Sequence, residues 1–331
     1  MTVDNTREIS EHIYLSNRFL IITHCNPDGD AIGSSMAFLK LLKDNGKKAD
    51  FYIPHRIPLK YEKLIEENII TGNLPDLSEY STMICLYFSN PLRANLPPDI
   101  KIDKLGIFTI NIDHHPDNKL FGNLNLVKAN ASSTAEVIYD FAKFANLKIS
   151  PKTAEYILIG ILSDTGGLRF DNTNADLLRL TADLVDYGVD YVRTMRLLFF
   201  SKPLPLLKLE GEIIEKRLKS ECSGKFIYAI LDEKLFSKYN VPPGESEGLI
   251  DIIKCVEGSY VVAFIYENSD GYRVSLRSTN NKISVGKIAR ALGGGGHELA
   301  AGTFIRTKSA SEAEQILLSQ VKKELQLSPF D

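Results

Sequence analysis

A chain of 331 residues is long enough for two domains, each with a core of its own. Its 44% hydrophobic and 24% charged residues match an ordinary globular protein and exclude a disordered or fibrous one. The net charge of -3 excludes an overall pull toward nucleic acid, so a polyanionic ligand needs a local cluster of cations or a bound metal. Cys25, Cys85, Cys222 and Cys255 are widely spaced with no Cys-x-x-Cys pair, which argues against a zinc knuckle, a redox dithiol or a disulfide framework. A reducing cytoplasm is the expected location. The polar start, Met1 to Asn5, and the lack of a long apolar run argue against export and membrane insertion.

The first expected strand, Phe19 to Ile22, runs directly into His24-Cys25-Asn26-Pro27-Asp28-Gly29-Asp30, and a helix is expected from Ala31 to Leu42. Further strands are expected over Ala49 to Ile53, Thr82 to Leu86 and Ile107 to Ile112, the last entering Asp113-His114-His115-Pro116. Ser133-Thr134-Ala135-Glu136 reads as a helix start. The next helix, Ala154 to Leu162, ends in Ser163-Asp164-Thr165-Gly166-Gly167. Alternating strands and helices predict βαβ units and a mainly parallel sheet over residues 1–200. Ser201-Lys202-Pro203-Leu204-Pro205 breaks the pattern, and Leu206 to Leu218 resumes it as an amphipathic helix, so residues 201–220 read as a helical linker.

Residues 221–331 read as a smaller α/β domain with a mixed sheet. Its expected strands are Lys225 to Leu231, Tyr260 to Tyr266 and Tyr272 to Arg277, with Asn268 to Gly271 as a hairpin turn. Ser309 and Glu312 stand at capping-box spacing before a closing helix that ends near Leu325. The run Gly293-Gly294-Gly295-Gly296-His297 leaves backbone N–H groups able to turn toward an anion, as phosphate-binding nests do.

His24, Asp28, Asp30, Asp113, His114, His115 and Asp164 are ligand types for a hard divalent cation, placed where elements end in turns. Three of the six histidines fall in these stretches. At the carboxyl ends of parallel strands, such residues converge where α/β sheets bind ligands.

The order and spacing of four blocks resemble the DHH phosphoesterase family, in the branch with a glycine-rich DHH-associated C-terminal domain. The blocks are His24 to Asp30, Asp113-His114-His115, Ser163 to Phe170, and Gly294 to Gly302. Within the family the likeness is to the bifunctional oligoribonuclease and pAp phosphatase group. The resemblance implies two divalent metals, Mn²⁺ or Mg²⁺, in the first domain and an active cleft between the domains. The implied substrates are short single-stranded oligonucleotides, dinucleotides or nucleoside bisphosphates, hydrolysed by metal-activated water; a homodimer is compatible with it. It further implies that His24 and Asp28 hold one metal and Asp30, His114 and Asp164 the other. Asp113 would orient His114, and His115 would lie near the scissile phosphate. Arg277, His297 and the Gly294-Gly295-Gly296 backbone would grip a second phosphate.

The sequence departs from the family at one position. Where the family carries an aspartate bridging both metals, at the end of a middle strand, this chain has Tyr87. Losing that carboxylate leaves the repulsion between two cations less compensated, so one metal site is expected to be weakened. Two alternatives stand beside the oligonucleotide hydrolase: an exopolyphosphatase-like hydrolase, and a nucleotide-binding protein whose catalysis is weakened at Tyr87.

Overall fold

The structure is a computed structural model that describes residues 2–25, 27–54, 57–94, 96, 102, 105–242 and 249–327. Asn26 of the first motif lies outside the described residues. The chain divides into two compact units, Met1–Ser201 and Lys202–Asp331.

The first unit is built on a seven-stranded sheet. Its strands are β1 (Thr2–Asp4), β2 (Arg18–Ile22), β3 (Lys48–Ile53), β4 (Ile70–Thr71), β5 (Thr82–Leu86), β6 (Phe108–Asp113) and β7 (Leu124–Lys128). They lie in the order β1-β7-β6-β5-β2-β3-β4, all parallel except β1, which runs antiparallel to β7. Period-two alternation explains why the central strands read as unbroken apolar runs. Phe19, Ile21 and Ile84 enter the larger core cluster, whereas Leu20, Ile22, Met83 and Cys85 pack on the opposite face with Tyr52 and Phe88.

The helices of this unit are α1 (Thr6–Leu15), α2 (Gly29–Asp44), α3 (Leu59–Glu62), α4 (Thr134–Phe144), α5 (Pro151–Asp164), α6 (Ala175–Asp186) and α7 (Tyr191–Phe199). Side-chain caps mark their starts: Asp28 for α2, Ser133 for α4, Ser150 for α5, Asn174 for α6 and Asp190 for α7. Helix α2 is buried along most of its length, at the centre of the larger core. From β2 the chain moves outward through β3, and from β5 it moves the other way through β6. The carboxyl ends of β2 and β5 therefore flank a topological switch point, where an open α/β sheet leaves a crevice.

The second unit carries a six-stranded mixed sheet, ordered β12-β13-β11-β10-β9-β8. Its strands are β8 (Lys219–Glu221), β9 (Phe226–Leu231), β10 (Val261–Asn268), β11 (Gly271–Ser278), β12 (Gly295–Gly296) and β13 (Ala300–Ile305). Only β9 and β10 pair in parallel, and the expected hairpin closes with Asn268 opposite Gly271. The helices are α8 (Leu204–Glu212), continuing as a π-helical turn Ile213–Arg217, then α9 (Glu233–Lys238), α10 (Leu249–Ile253), α11 (Val285–Ala291) and α12 (Ala310–Leu327). Val261, Ala263 and Ile265 face α11 and α12 through Ile288, Leu317 and Val321. Val262 and Phe264 share the other core with Leu235, Phe236 and Ile250. Leu209 and Ile213, in the stretch read as a linker, are buried in that same core.

Strands β1, β4, β7, β8, β12 and β13 had no sequence expectation: β1, β4, β8 and β12 are two or three residues long, too short for a period, and β13 is partly concealed by its alanines and glycine. No described helix is long and apolar enough to cross a membrane.

Candidate metal centre

The switch point is closed by short contacts. Thr23 Oγ1 donates to Leu86 O at 2.9 Å, tying the end of β2 to the end of β5. The next residue, His24, is 6% exposed; its Nδ1–H donates to Cys25 O at 2.7 Å, which leaves Nε2 as a bare lone pair. That nitrogen has no hydrogen-bond partner among the described residues. Asp28 caps α2 through Oδ1, which accepts the Ala31 N–H at 3.0 Å. Asp30 is fully buried, and its two oxygens accept the N–H groups of Thr134 at 2.6 Å and Ala135 at 3.0 Å. One carboxylate is thus held by the positive end of α4.

Glycines let the other carboxylate approach. A Cβ on Gly29 would stand 1.9 Å from Ser163 Oγ, so the start of α2 abuts the end of α5, where Asp164 sits. At the end of β6, Asp113 Oδ1 accepts the His115 Nδ1–H at 2.7 Å and the His114 N–H at 2.8 Å, while Oδ2 accepts from Asn118 Nδ2 at 2.6 Å. This corrects one expectation: Asp113 orients the His115 ring and only the backbone of His114. The His114 ring is held instead by Nδ1–H donation to Ala131 O at 3.2 Å. Its bare Nε2 then lies 3.2 Å from Asp164 Oδ2.

Ligand atoms of Asp30, His114 and Asp164 all lie within 4.8 Å of one another. A lone pair facing a carboxylate oxygen is repulsive unless something positive joins them, and metal-ligating histidines are held in this way by their other nitrogen. The residues present therefore fit a divalent cation. The electrostatics agree. Burial, then the charge of Asp28, pushes the Asp164 carboxyl up to about 8. Burial and the Asp164 charge hold Asp30 well above the carboxylate range. Asp113 goes the other way: burial would raise it, but the hydrogen bond and charge of His115 with the Asn118 bond bring it below normal. His115, despite burial, is raised by the same bond to Asp113.

Tyr87 follows β5 with φ at 61°, a left-handed conformation rare for a bulky residue, held by its N–H donating to Ile112 O at 3.1 Å. Its hydroxyl donates to Asp28 Oδ2 at 2.9 Å and approaches Asp164 Oδ1 at 3.3 Å. The ring centroid is 5.5 Å from that of His24, 5.6 Å from His114 and 4.8 Å from His115. The structure thus brings His24, Asp28, Asp30, Tyr87, His114, His115 and Asp164 together, with Asp113 behind them.

Sequence reading missed three kinds of participant. Asn118 fixes Asp113, and the Ala131 carbonyl fixes His114. Arg93 is held beside the site because Cys25 N–H donates to its carbonyl at 2.9 Å, and its charge acts on both His24 and His115. Its exposed guanidinium forms no ion pair among the described residues. A backbone carbonyl, a lone asparagine and a lone arginine in the short 3-10 turn Pro91–Ala94 carry no motif by which they could have been found.

In the second unit, Arg277 lies in β11 opposite Ala300 of β13, and His297 N–H donates to Ala300 O at 2.8 Å, so both flank Ala300. The bare glycine backbone needs correction. Gly294 N–H donates to Ala289 O at 2.8 Å, while Gly295 and Gly296 pair with Gly302 and Ala301 in the sheet. A Cβ on Gly294 would stand 2.2 Å from Gly302 O, and Gly296 has φ at 132°, whereas Gly295 faces open space. Close strand packing accounts for Gly294 and Gly296, so the case for an anion rests on Arg277, Gly295 and His297.

Residues 18–161 match the DHH family, N-terminal domain, and residues 223–326 match the DHHA1 domain. The chain is 33% identical over 306 residues to the bifunctional oligoribonuclease and PAP phosphatase NrnA of Thermus thermophilus, covering 92% of this chain and 89% of that protein. To the protein of the same name from Bacillus subtilis it is 28% identical over 313 residues, covering 94% and 96%. The crystal structure of an exopolyphosphatase-related protein from Bacteroides fragilis shares the fold, with a TM-score of 0.90 at 23% identity, covering 97% of this chain and 96% of that one.

Proposed function

The chain belongs to the DHH phosphoesterase family, in the branch with a DHHA1 domain, and from that premise we propose that it hydrolyses phosphoester bonds of short oligonucleotides, dinucleotides or nucleoside bisphosphates. The observation that carries this reading is the bare His114 Nε2 facing Asp164 Oδ2 at 3.2 Å with Asp30 beside them. Asp30, His114 and Asp164 would hold a divalent cation, and Mn²⁺ or Mg²⁺ suits two carboxylates and an imidazole. When bound, such a cation polarises a phosphoryl oxygen and lowers the pKa of water.

The chain's own residues supply the rest. Asp113 keeps the His115 ring in one orientation through the 2.7 Å bond and favours its charged form, suiting it to a phosphate oxygen. Arg93 adds a fork-shaped cation at the edge of a site rich in carboxylates, offsetting their repulsion of an anionic substrate. Arg277, with Gly295 and His297, is the candidate contact of the second unit for a further phosphate.

Turnover of a panel holding a dinucleotide, pAp and polyphosphate, with Mn²⁺ and with EDTA, tests the proposal. Metal-dependent hydrolysis of the nucleotides that is abolished by Asp164→Asn is expected; preference for polyphosphate would favour the exopolyphosphatase-like reading. A second reading, a nucleotide-binding protein with weakened catalysis, draws on the Tyr87 hydroxyl lodged between Asp28 and Asp164. Tight nucleotide binding without turnover would favour it.

A further inference from the structure

We infer that Tyr87 limits the centre to one divalent cation held by protein ligands alone, an inference that rests on the proposed metal-dependent function. Two aspects of the geometry lead there. The first concerns donor atoms. Asp28 turns Oδ1 to the Ala31 N–H at 3.0 Å, at the start of α2, and Oδ2 to the Tyr87 hydroxyl at 2.9 Å. The hydroxyl also reaches Asp164 Oδ1 at 3.3 Å, so it takes the approach that a cation joining Asp28 to Asp164 would need. A hard cation must come within about 2.0–2.6 Å of each oxygen and needs about six ligands. Beyond the Asp30, His114 and Asp164 set, a second cation would find His24 Nε2, which has no hydrogen-bond partner among the described residues, and Asp28, with the tyrosine hydroxyl on the side that faces Asp164. One imidazole and one carboxylate fall well short of the about six ligands such a cation needs.

The second concerns whether the tyrosine can withdraw. It is 5% exposed, and its ring lies against His24, His115 and His114. Its backbone is fixed in the left-handed region by the bond to Ile112 O, so the side chain leaves the strand end in the direction of the carboxylates. Rotating it away would displace imidazoles that Cys25 O, Ala131 O and Asp113 hold in place. A neutral hydroxyl also brings none of the negative charge that would offset repulsion between two dications. In this arrangement His24 Nε2 is left to accept a hydrogen bond from substrate or water.

The test is metal stoichiometry on the full chain, stripped with EDTA and dialysed against Mn²⁺. The unmodified chain should retain one equivalent, His24→Gln should also retain one, and Tyr87→Asp should retain two. Electron paramagnetic resonance of the unmodified chain gives a check independent of any variant's folding. An isolated Mn²⁺ gives a resolved six-line spectrum, whereas a pair about 3.5–4 Å apart is exchange-coupled. Two tight equivalents with a coupled spectrum, or loss of the bound equivalent in His24→Gln, would overturn the inference. Turnover on the same samples separates the readings: two equivalents with hydrolysis would remove only this inference, while no bound metal and no hydrolysis would remove the proposed function too.

Discussion

Gly33 and Gly160 bring the backbones of α2 and α5 into direct contact: a Cβ on Gly33 would stand 2.5 Å from the Gly160 nitrogen. The same closeness serves the centre, because a Cβ on Gly160 would stand 2.6 Å from Asp30 Oδ1 and 2.5 Å from the Ala135 Cβ. Backbone cannot yield as a flexible side chain can. Gly33→Ala should therefore cost about 1–3 kcal/mol of stability, the usual range for overpacking. Gly211→Ala, in helix α8 with open space around it, should instead stabilise by about 0.5–1 kcal/mol. Urea midpoints for the pair decide the matter; equal effects would mean that the α2–α5 contact is looser than described.

Asp30 serves the helix as well as the proposed metal site. In Asp30→Ala the Thr134 and Ala135 N–H groups lose their acceptor in a buried place, at about 1–3 kcal/mol for each unsatisfied group. Asp30→Asn keeps an acceptor but loses the charge. Unfolding in EDTA should show Asp30→Ala less stable than Asp30→Asn, while Mn²⁺ binding should be lost in both. If the two variants unfold alike in EDTA, Asp30 does not hold α4.

Asp164 makes the metal-free protein pH-sensitive. Its carboxyl is pushed up from 3.8 to about 8 by burial and by Asp28. Between those values the folded chain keeps a proton that the unfolded chain has released, so this residue lowers stability progressively as pH rises through the window. In EDTA, Asp164→Asn should gain stability relative to the unmodified chain from pH 4 to pH 8. Cation binding must displace the same proton, and with it any proton that the raised Asp30 carboxyl retains, so Mn²⁺ affinity should climb by at least about tenfold per pH unit below 8. Calorimetry in buffers of different ionisation enthalpy would count the proton released; affinity independent of pH would contradict the assignment.

Arg93→Gln should leave metal content and unfolding unchanged, because the guanidinium is exposed and only its backbone carbonyl is bonded to Cys25. KM for a dinucleotide should rise about 10–100-fold, the range of a lost charge-assisted hydrogen bond of about 1.5–3 kcal/mol. Kinetics at two salt concentrations would show the difference shrinking as salt rises. An unchanged KM would remove Arg93 from the substrate contacts.

The residues of the candidate centre stood out in the sequence because their chemistry is local. Thr82 to Leu86 reads as a buried strand because each of its faces meets a core, and Asp28 and Ser133 announce their helices by the caps they form. His24, Asp28, Asp30, His114 and Asp164 stand out since few arrangements other than a metal site place such side chains at several element ends. Strand order, by contrast, is a property of the folded chain. It sets the end of β2 beside that of β5, and so places the Tyr87 hydroxyl against Asp28, 59 residues away. The choice of Asp113 for the His115 ring, the Ala131 carbonyl that turns His114, and the Ala289 carbonyl that takes the Gly294 N–H were likewise decided by tertiary structure. Backbone donors and acceptors are the same in nearly every residue, so sequence cannot say which of them a side chain will meet.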